Sequence, residues 1–419
     1  MADNLNSQRG IHVEILQKNN SVLKSEQVIS IASKWISSHK PFGKQKIISN
    51  FDDDVLAQNV STITICDNNS QLVNGEVPPI YYDVYSFNST SPEIQEVEEE
   101  DQHITTQWIL PTQDFNGLWE SLIYESEVKD GLLNYVSTAL RFSEKSVNPN
   151  IVSWNRMILL HGPPGTGKTS LCKALAQKVS IRFSSKFAYG ILVEVNTHSL
   201  FSKWFSESGK LVTKLFHNII NLVEDTSVLV IVLLDEVETL ARSRSSALTG
   251  NEPSDALRVV NAFLTHLDMI KRYPNVLILT TSNITDAIDV ALIDRADIKQ
   301  YIGLPNVEAI YQIYSSCIEE LSKAGIICTS EIVMQMENLL RQPDSSSNGN
   351  LVFENRDLKL VTISKQSIGL SGRTLRKMPF IACSLFLGEN LVTLDDFLDA
   401  LSKAVEKHWH DVKHLNAHV

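Results

Sequence analysis

Glycines at 162, 165 and 167, followed at once by Lys168 and Thr169, are spaced for phosphate chemistry. The stretch HGPPGTGKTS, His161 to Ser170, contains Gly162-Pro163-Pro164-Gly165-Thr166-Gly167-Lys168-Thr169 and fits G-x-x-x-x-G-K-T. Gly165 and Gly167 allow backbone angles that a side chain forbids. The loop can then turn its N–H groups inward, where a helix dipole adds to their pull on phosphate oxygens. Lys168 supplies charge for the β- and γ-phosphates, Thr169 offers a hydroxyl to Mg²⁺, and Ser170 completes the set of nucleotide-binding residues. This spacing predicts an ATP site.

A phosphate cradle does not hydrolyse anything alone. VLVIVLLDE places Asp235 where an apolar strand ends, suited to the Mg²⁺ shell, and Glu236 beside it as a general base for the attacking water. VLILTTSN ends on Asn283, placed to orient that water. Taken alone, Asn283 reads as a turn former; beside a phosphate loop and an acidic strand end it reads as part of the site.

These residues need a strand before and a helix after each of them. RMILLH, ILVEVN, VLVIVLLD, VLILTTS and IKQYIG are the strand candidates. The first four are continuously apolar, as in a parallel sheet covered on both faces, and helical patterns fill the gaps. The expectation is a doubly wound α/β domain over 101–304, with an almost wholly helical domain over 305–419. The polar stretch RQPDSSSNGNLVFENRD within the helical region reads as a loop or short hairpin. Residues 1–100 mix strand runs (IHVEIL, VSTITIC, YYDVYSF) with one helical pattern on Val28, Ile31, Ala32, Trp35 and Ile36, a small α+β module without catalytic residues. EIQEVEEEDQ packs six carboxylates into ten positions and reads as a solvated linker, with a dock for a basic partner as the sharper alternative.

At 419 residues the chain has room for two or three domains. Its formal charge of −12 repels polyanions, so direct nucleic-acid binding is not expected. Cys66, Cys172, Cys317, Cys328 and Cys383 form no CxxC pair, which suits reduced thiols rather than zinc. The longest apolar run, VLVIVLL, is too short to cross a bilayer, and MADNLNSQRG has no apolar core for a secretory signal. A soluble intracellular protein is expected. His410, His414 and His418 share a helical spacing near the end, but no cysteine or carboxylate cluster completes a zinc shell, so a solvated tail is the simpler reading.

GPPGTGKT, LLDEVETL, TTSN and DRADIKQY, in this order, resemble the AAA+ P-loop ATPases over about residues 110–410. NTHSLFSKWFSESGKLV, DEVETLARSRSSALTGNEPSDALRVVNAFLTHLD and GLSGRTLRKMPF narrow the resemblance to the pachytene checkpoint protein 2 (thyroid receptor-interacting protein 13) family. The resemblance implies an α/β body, a C-terminal helical lid and a homo-hexameric ring with ATP sites between subunits. Arg295 then falls at the arginine finger that completes a neighbour's site. Many relatives carry R-F-D-R there, whereas this chain has Arg295-Ala296-Asp297-Ile298 and lacks the second arginine. Arg373 in GLSGRTLRK matches the lid sensor, and Arg376 is the weaker candidate. Lys203, Trp204 and Phe205 match the loop that grips polypeptide in the central pore, and RSSALTGNEPSDA the second pore loop.

Inherited from the same resemblance are the substrates: HORMA-domain proteins of the spindle checkpoint and the meiotic chromosome axis, presented by the N-terminal module or a HORMA-like adaptor. Nuclear, chromosome- or kinetochore-associated and cytoplasmic locations follow. An AAA+ motor or loader on DNA is the alternative, opposed by the aromatic pore loop and the acidic chain. A nucleotide-gated scaffold needs neither Glu236 nor Arg295.

Overall fold

The computed structural model describes residues 10–39, 46–66, 79–97, 102–124, 126–197, 205–240, 255–284, 288–328, 351–388 and 392–416. These fall into two compact units. One takes in the described residues of Met1–Trp119, Asp130–Leu160 and Thr169–Gln300; the other those of Glu120–Lys129, His161–Lys168 and Tyr301–Val419.

The first unit begins with β1 (Ile11–Gln17), α1 (Ser25–His39), β2 (Lys46–Ile48), α2 (Asp54–Asn59), β3 (Val60–Cys66) and β4 (Ile80–Tyr85). Their sheet runs β2-β3-β1-β4, with β1 antiparallel to β3 and parallel to β4. Period-2 alternation puts Val13, Ile15, Ile63 and Ile65 on one face, where they bury against Val28, Ala32 and Ile36 of α1. Asp53 caps α2, accepting from the N–H groups of Val55 and Leu56 at 2.9 Å each.

The large sheet follows, with β5 (Glu93–Val97), β6 (Gln102–Leu110), α3 (Leu118–Ser121), α4 (Ser126–Glu144), β7 (Met157–His161), α5 (Lys168–Arg182), β8 (Tyr189–Asn196), α6 (Phe205–Val223), β9 (Val228–Asp235), α7 (Asp255–Ile270), β10 (Val276–Ser282), α8 (Val290–Ile293) and β11 (Ile298–Tyr301). Strand order is β11-β7-β10-β9-β8-β6-β5, and β8, β9 and β10 pair in parallel. Val193, Val195, Val230, Val232, Leu234 and Ile278 pack with Val212, Phe216 and Ile219 of α6 and Phe263 and Leu267 of α7. The alternate residues Leu192, Leu229, Ile231, Leu233 and Leu277 are just as buried. On that opposite side Lys173 of α5 pairs with Glu194 at 2.9 Å and lies 4.8 Å above the Trp108 ring. Cover on both faces is why these strands carry no polar alternation. Each fully buried aliphatic side chain contributes about 1.5–3 kcal/mol.

EIQEVEEEDQ is not a solvated linker throughout: Glu93–Val97 is a strand, antiparallel to β6, which is in turn antiparallel to β8. The parallel sheet therefore ends in an antiparallel hairpin. Charged residues are what an exposed sheet edge uses to discourage pairing with another chain, so a dense glutamate run hides a strand.

The second unit holds α9 (Val307–Lys323), β12 (Ile327–Cys328), α10 (Leu351–Gln366), α11 (Gly372–Phe386), β13 (Val392–Thr393) and α12 (Leu394–Asn416). Its core gathers Ile310, Tyr311, Tyr314, Leu375, Phe397 and Leu401. Asn306 caps α9 through a 2.9 Å bond from the Ala309 N–H, just after Pro305. LVFENRD, read as loop or hairpin, is the first half of α10. The Ser, Asn and Gly residues before it lie outside the described residues. Among the described residues, no helix is long and apolar enough to cross a membrane.

Candidate active site

The phosphate loop leaves β7 and enters α5 through backbone that only glycine adopts freely. Gly165 has φ 76° and Gly167 φ 90°. Space is equally restrictive. A Cβ on Gly165 would lie 2.7 Å from Ser371 Oγ, and one on Gly167 2.5 Å from the Tyr124 hydroxyl. The loop is also tied from outside: Tyr124 donates to the Thr166 carbonyl at 2.9 Å, and the Arg373 N–H to the Gly165 carbonyl at 3.0 Å. Thr166 Oγ1 donates to the Pro163 carbonyl at 3.0 Å.

Lys168 is 4% exposed, and its Nζ donates to the Gly162 and Pro163 carbonyls at 2.9 and 2.7 Å. A buried ammonium at the N-terminus of a 15-residue helix is a site built for an anion. Burial, then the Lys168 charge, lowers the pKa of His161, which keeps that imidazole neutral at pH 7. Lys168 is thus the cation beside this loop.

Thr169, next in α5, belongs to the large-sheet unit and joins a second cluster. Its Oγ1 donates to Asp235 Oδ1 at 2.9 Å, and Thr281 Oγ1 donates to the same oxygen. Thr197 Oγ1 sits between the Asp235 and Glu236 carbonyls at 2.5 and 2.9 Å, and Thr239 Oγ1 bonds Thr197 Oγ1 at 3.0 Å. Thr197, Thr239 and Thr281, with Thr169 on the Asp235 carboxylate, thereby fix the turn at the end of β9. They hold Glu236 at φ 58°, a left-handed conformation costing a non-glycine residue about 1–3 kcal/mol. The Glu236 N–H finds Thr281 Oγ1 at 3.2 Å. Its carboxylate is exposed, with Asn283 Nδ2 3.5 Å from Oε1. The Asn283 N–H donates to Glu238 Oε1 at 3.2 Å. The strain re-aims one carboxylate off the strand while its neighbour stays against Thr169.

Burial, then the charges of Asp235 and Glu194, pushes the Cys172 thiol well up, so it stays protonated and inert. Hydroxyl and carboxylate oxygens at Thr169 and Asp235 are the hard donors that Mg²⁺ takes.

Arg295 lies in the turn between α8 and β11, paired with Asp268 of α7. Arg373 opens α11, with an exposed side chain and Ser371 as its helix cap. Arg376 donates to the Ser121 carbonyl. Phe205 begins α6, while Lys203, Trp204 and the stretch RSSALTGNEPS, expected to be part of a second pore loop, lie outside the described residues. His410 and His414 face each other at 3.2 Å on α12, and His418 lies outside the described residues. No group of three or more potential metal ligands occurs among the described residues.

Sequence reasoning missed Tyr124, Thr197, Thr281 and Ser371. Thr280 and Thr281 did carry a signal, being with Ser282 three consecutive hydroxyls at the end of an otherwise apolar buried strand. Tyr124 carried none, being 42 residues from the carbonyl it binds.

Comparison with known proteins covers up to 98% of the chain. Residues 6–90 match the TRIP13 N-terminal domain, 158–304 the ATPase family associated with various cellular activities, and 306–409 the TRIP13-like AAA+ ATPase lid C-terminal domain. Pachytene checkpoint protein 2 homolog of Mus musculus is 48% identical over 416 residues, 98% of this chain and 95% of that one. Its Gallus gallus counterpart is 49% identical over 413 residues, 97% and 94% of the two chains. The solved structure of C. elegans PCH-2 superposes with a TM-score of 0.79 at 35% identity, covering 96% of this chain and all (100%) of that one. The E. coli MS115-1 HORMA:CdnC:Trip13 complex shares the fold at TM-score 0.53 and 18% identity, covering 71% and 94%. The chain belongs to the pachytene checkpoint protein 2 family of AAA+ ATPases, and it is a nucleotide-binding, ATP-hydrolysing enzyme.

Proposed function

We propose that the protein is a homo-hexameric remodeller that spends ATP to unfold HORMA-domain proteins locally through a central pore. The observation that carries the hydrolytic half is the strained Glu236 carboxylate beside an Asp235 held by Thr169 and Thr281. Lys168 and the loop N–H groups bind the triphosphate. Thr169 and Asp235 would hold Mg²⁺, which would neutralise charge on the phosphate oxygens. Asn283 orients the water, and Glu236 accepts its proton as the water oxygen attacks the γ-phosphorus; the bond from that phosphorus to the β–γ bridging oxygen breaks, and ADP leaves with the electron pair, giving ADP and inorganic phosphate. Arg295 from a neighbouring copy stabilises charge on the transferring group, and Arg373 senses it from the lid.

The mechanical half rests on Lys203, Trp204 and Phe205 as the gripping loop. The E. coli complex, in which a Trip13 chain accompanies a HORMA protein, supports the substrate class. A HORMA-like adaptor would present it, in spindle-checkpoint inactivation and at the meiotic chromosome axis. The expected locations are nucleus, chromosomes or kinetochores, and cytoplasm.

The test is a trap. Glu236→Gln should keep ATP binding, lose at least about a hundredfold in turnover, and retain HORMA proteins when captured from cells in ATP. A trap that retains no HORMA protein refutes the substrate assignment.

A further inference from the structure

The Arg295 guanidinium is held by its own chain from several sides. Nε and Nη2 donate to Oδ1 and Oδ2 of Asp268 at 3.0 and 2.7 Å, and Nη1 donates to the Ala291 carbonyl at 2.7 Å. Planar fork meets planar carboxylate, which fixes the orientation of the guanidinium as well as its place. Asp268 is itself held by Lys271 Nζ at 2.9 Å, and that ammonium also donates to Asn155 Oδ1 at 3.2 Å.

Asn155 leads back to the same turn. Its backbone N–H donates to Asp297 Oδ2 at 2.6 Å and its amide to Oδ1 at 3.1 Å. The Arg156 N–H and the Tyr135 hydroxyl reach Asp297 Oδ2 at 2.9 and 2.6 Å. The circuit Arg295–Asp268–Lys271–Asn155–Asp297 thus closes two residues from where it began. Asp297 pins the backbone of the turn and Asp268 pins the tip of the side chain.

We propose that Asp268 is a positioning residue for ATP hydrolysis, holding the Arg295 guanidinium in a fixed plane with its remaining N–H groups available to the phosphates of a neighbouring copy. This rests on the finger reading of Arg295 given above. A guanidinium has five N–H donors, and the bonds to Asp268 and Ala291 use one on each nitrogen. One therefore remains on Nη1 and one on Nη2. A donor ordered beforehand loses no further freedom when it meets the transition state, and that is where its rate advantage lies. The pair is 25% and 40% exposed, and so open an ion pair contributes little to folding. The elaborate geometry is therefore better matched to aiming the arginine than to stabilising the domain.

The experiment uses the full chain and compares Asp268→Ala, Asp268→Glu, Arg295→Ala and the double alanine variant. Asp268→Ala should lower kcat about ten- to a hundredfold, with KM for ATP, melting temperature and assembly size unchanged. Asp268→Glu should recover part of the rate. In the Arg295→Ala background, Asp268→Ala should cost nothing more, because the residue acts only through the arginine. An unchanged or raised kcat in Asp268→Ala, a rate loss that tracks loss of assembly, or independent losses in the double variant would overturn the proposal. Full activity in Arg295→Ala alone would overturn the finger reading itself, so the two failures are distinguishable.

Discussion

Glu14 offers the sharpest test of how the N-terminal module is built onto the ATPase body. It lies on β1, is 1% exposed, and pairs with Lys178 and Arg182 of α5, the helix that opens at the phosphate loop. Lys178 and Arg182 are 5–9% exposed along this contact. Burial alone would raise the Glu14 carboxyl, but Lys178 and then Arg182 outweigh it and hold the pKa below its ordinary 4.5. Glu14→Gln keeps the volume and removes the charge, leaving two cations buried against a neutral amide. Breaking a buried pair on one side costs about 3–5 kcal/mol, which at about 2–4 °C per kcal/mol is a fall of roughly 6–20 °C in melting temperature.

The pH dependence carries a sign. A carboxylate whose folded pKa is depressed contributes stability above its unfolded value and loses it as pH falls through the folded value. The gap between wild type and Glu14→Gln should therefore be level above pH 4.5 and close below it. Thermal melts of both proteins from pH 7 downward measure this. Replacing Glu14, Lys178 and Arg182 together by apolar residues of similar size should restore most of the stability. A Glu14→Gln protein that melts with wild type at pH 7 refutes the reasoning, as does a gap that widens in acid.

Two further outcomes follow from the site. Thr281→Ala removes a donor from Asp235 and the acceptor of the Glu236 N–H, so steady-state ATPase assays should show kcat down about tenfold or more with ATP binding retained, and denaturation a loss of about 1–3 kcal/mol. Gly167→Ala forces a Cβ at φ 90° to within 2.5 Å of the Tyr124 hydroxyl. Nucleotide titration should show affinity weakened at least about tenfold, and Tyr124→Ala should not rescue it because the backbone conformation remains unfavourable.

Much of this was legible because the relevant signals are local. Gly162 to Thr169 needs only its own spacing, and the continuous apolar runs ending at Asp235 and Ser282 already say covered parallel strands. What escaped depends on distant partners. Nothing in the sequence brings Tyr124 to Thr166 or Asp268 to Arg295, since each pair is made by the fold. β5 escaped because its glutamates mask strand pairing at an edge, where charge is tolerated. The start of α10 escaped because Ser, Asn and Gly residues immediately before Leu351 read as the end of order rather than as the approach to a helix.

The most direct measurement mixes two inactive chains. Glu236→Gln lacks the base but keeps Arg295; Arg295→Ala keeps the base but lacks the finger. Co-assembled in equal amounts, they should regain ATP hydrolysis at about one site in four, because an intact base then meets an intact neighbouring arginine by chance. A mixture as inactive as its components, under conditions where wild-type subunits exchange, contradicts a catalytic centre completed by the adjoining copy.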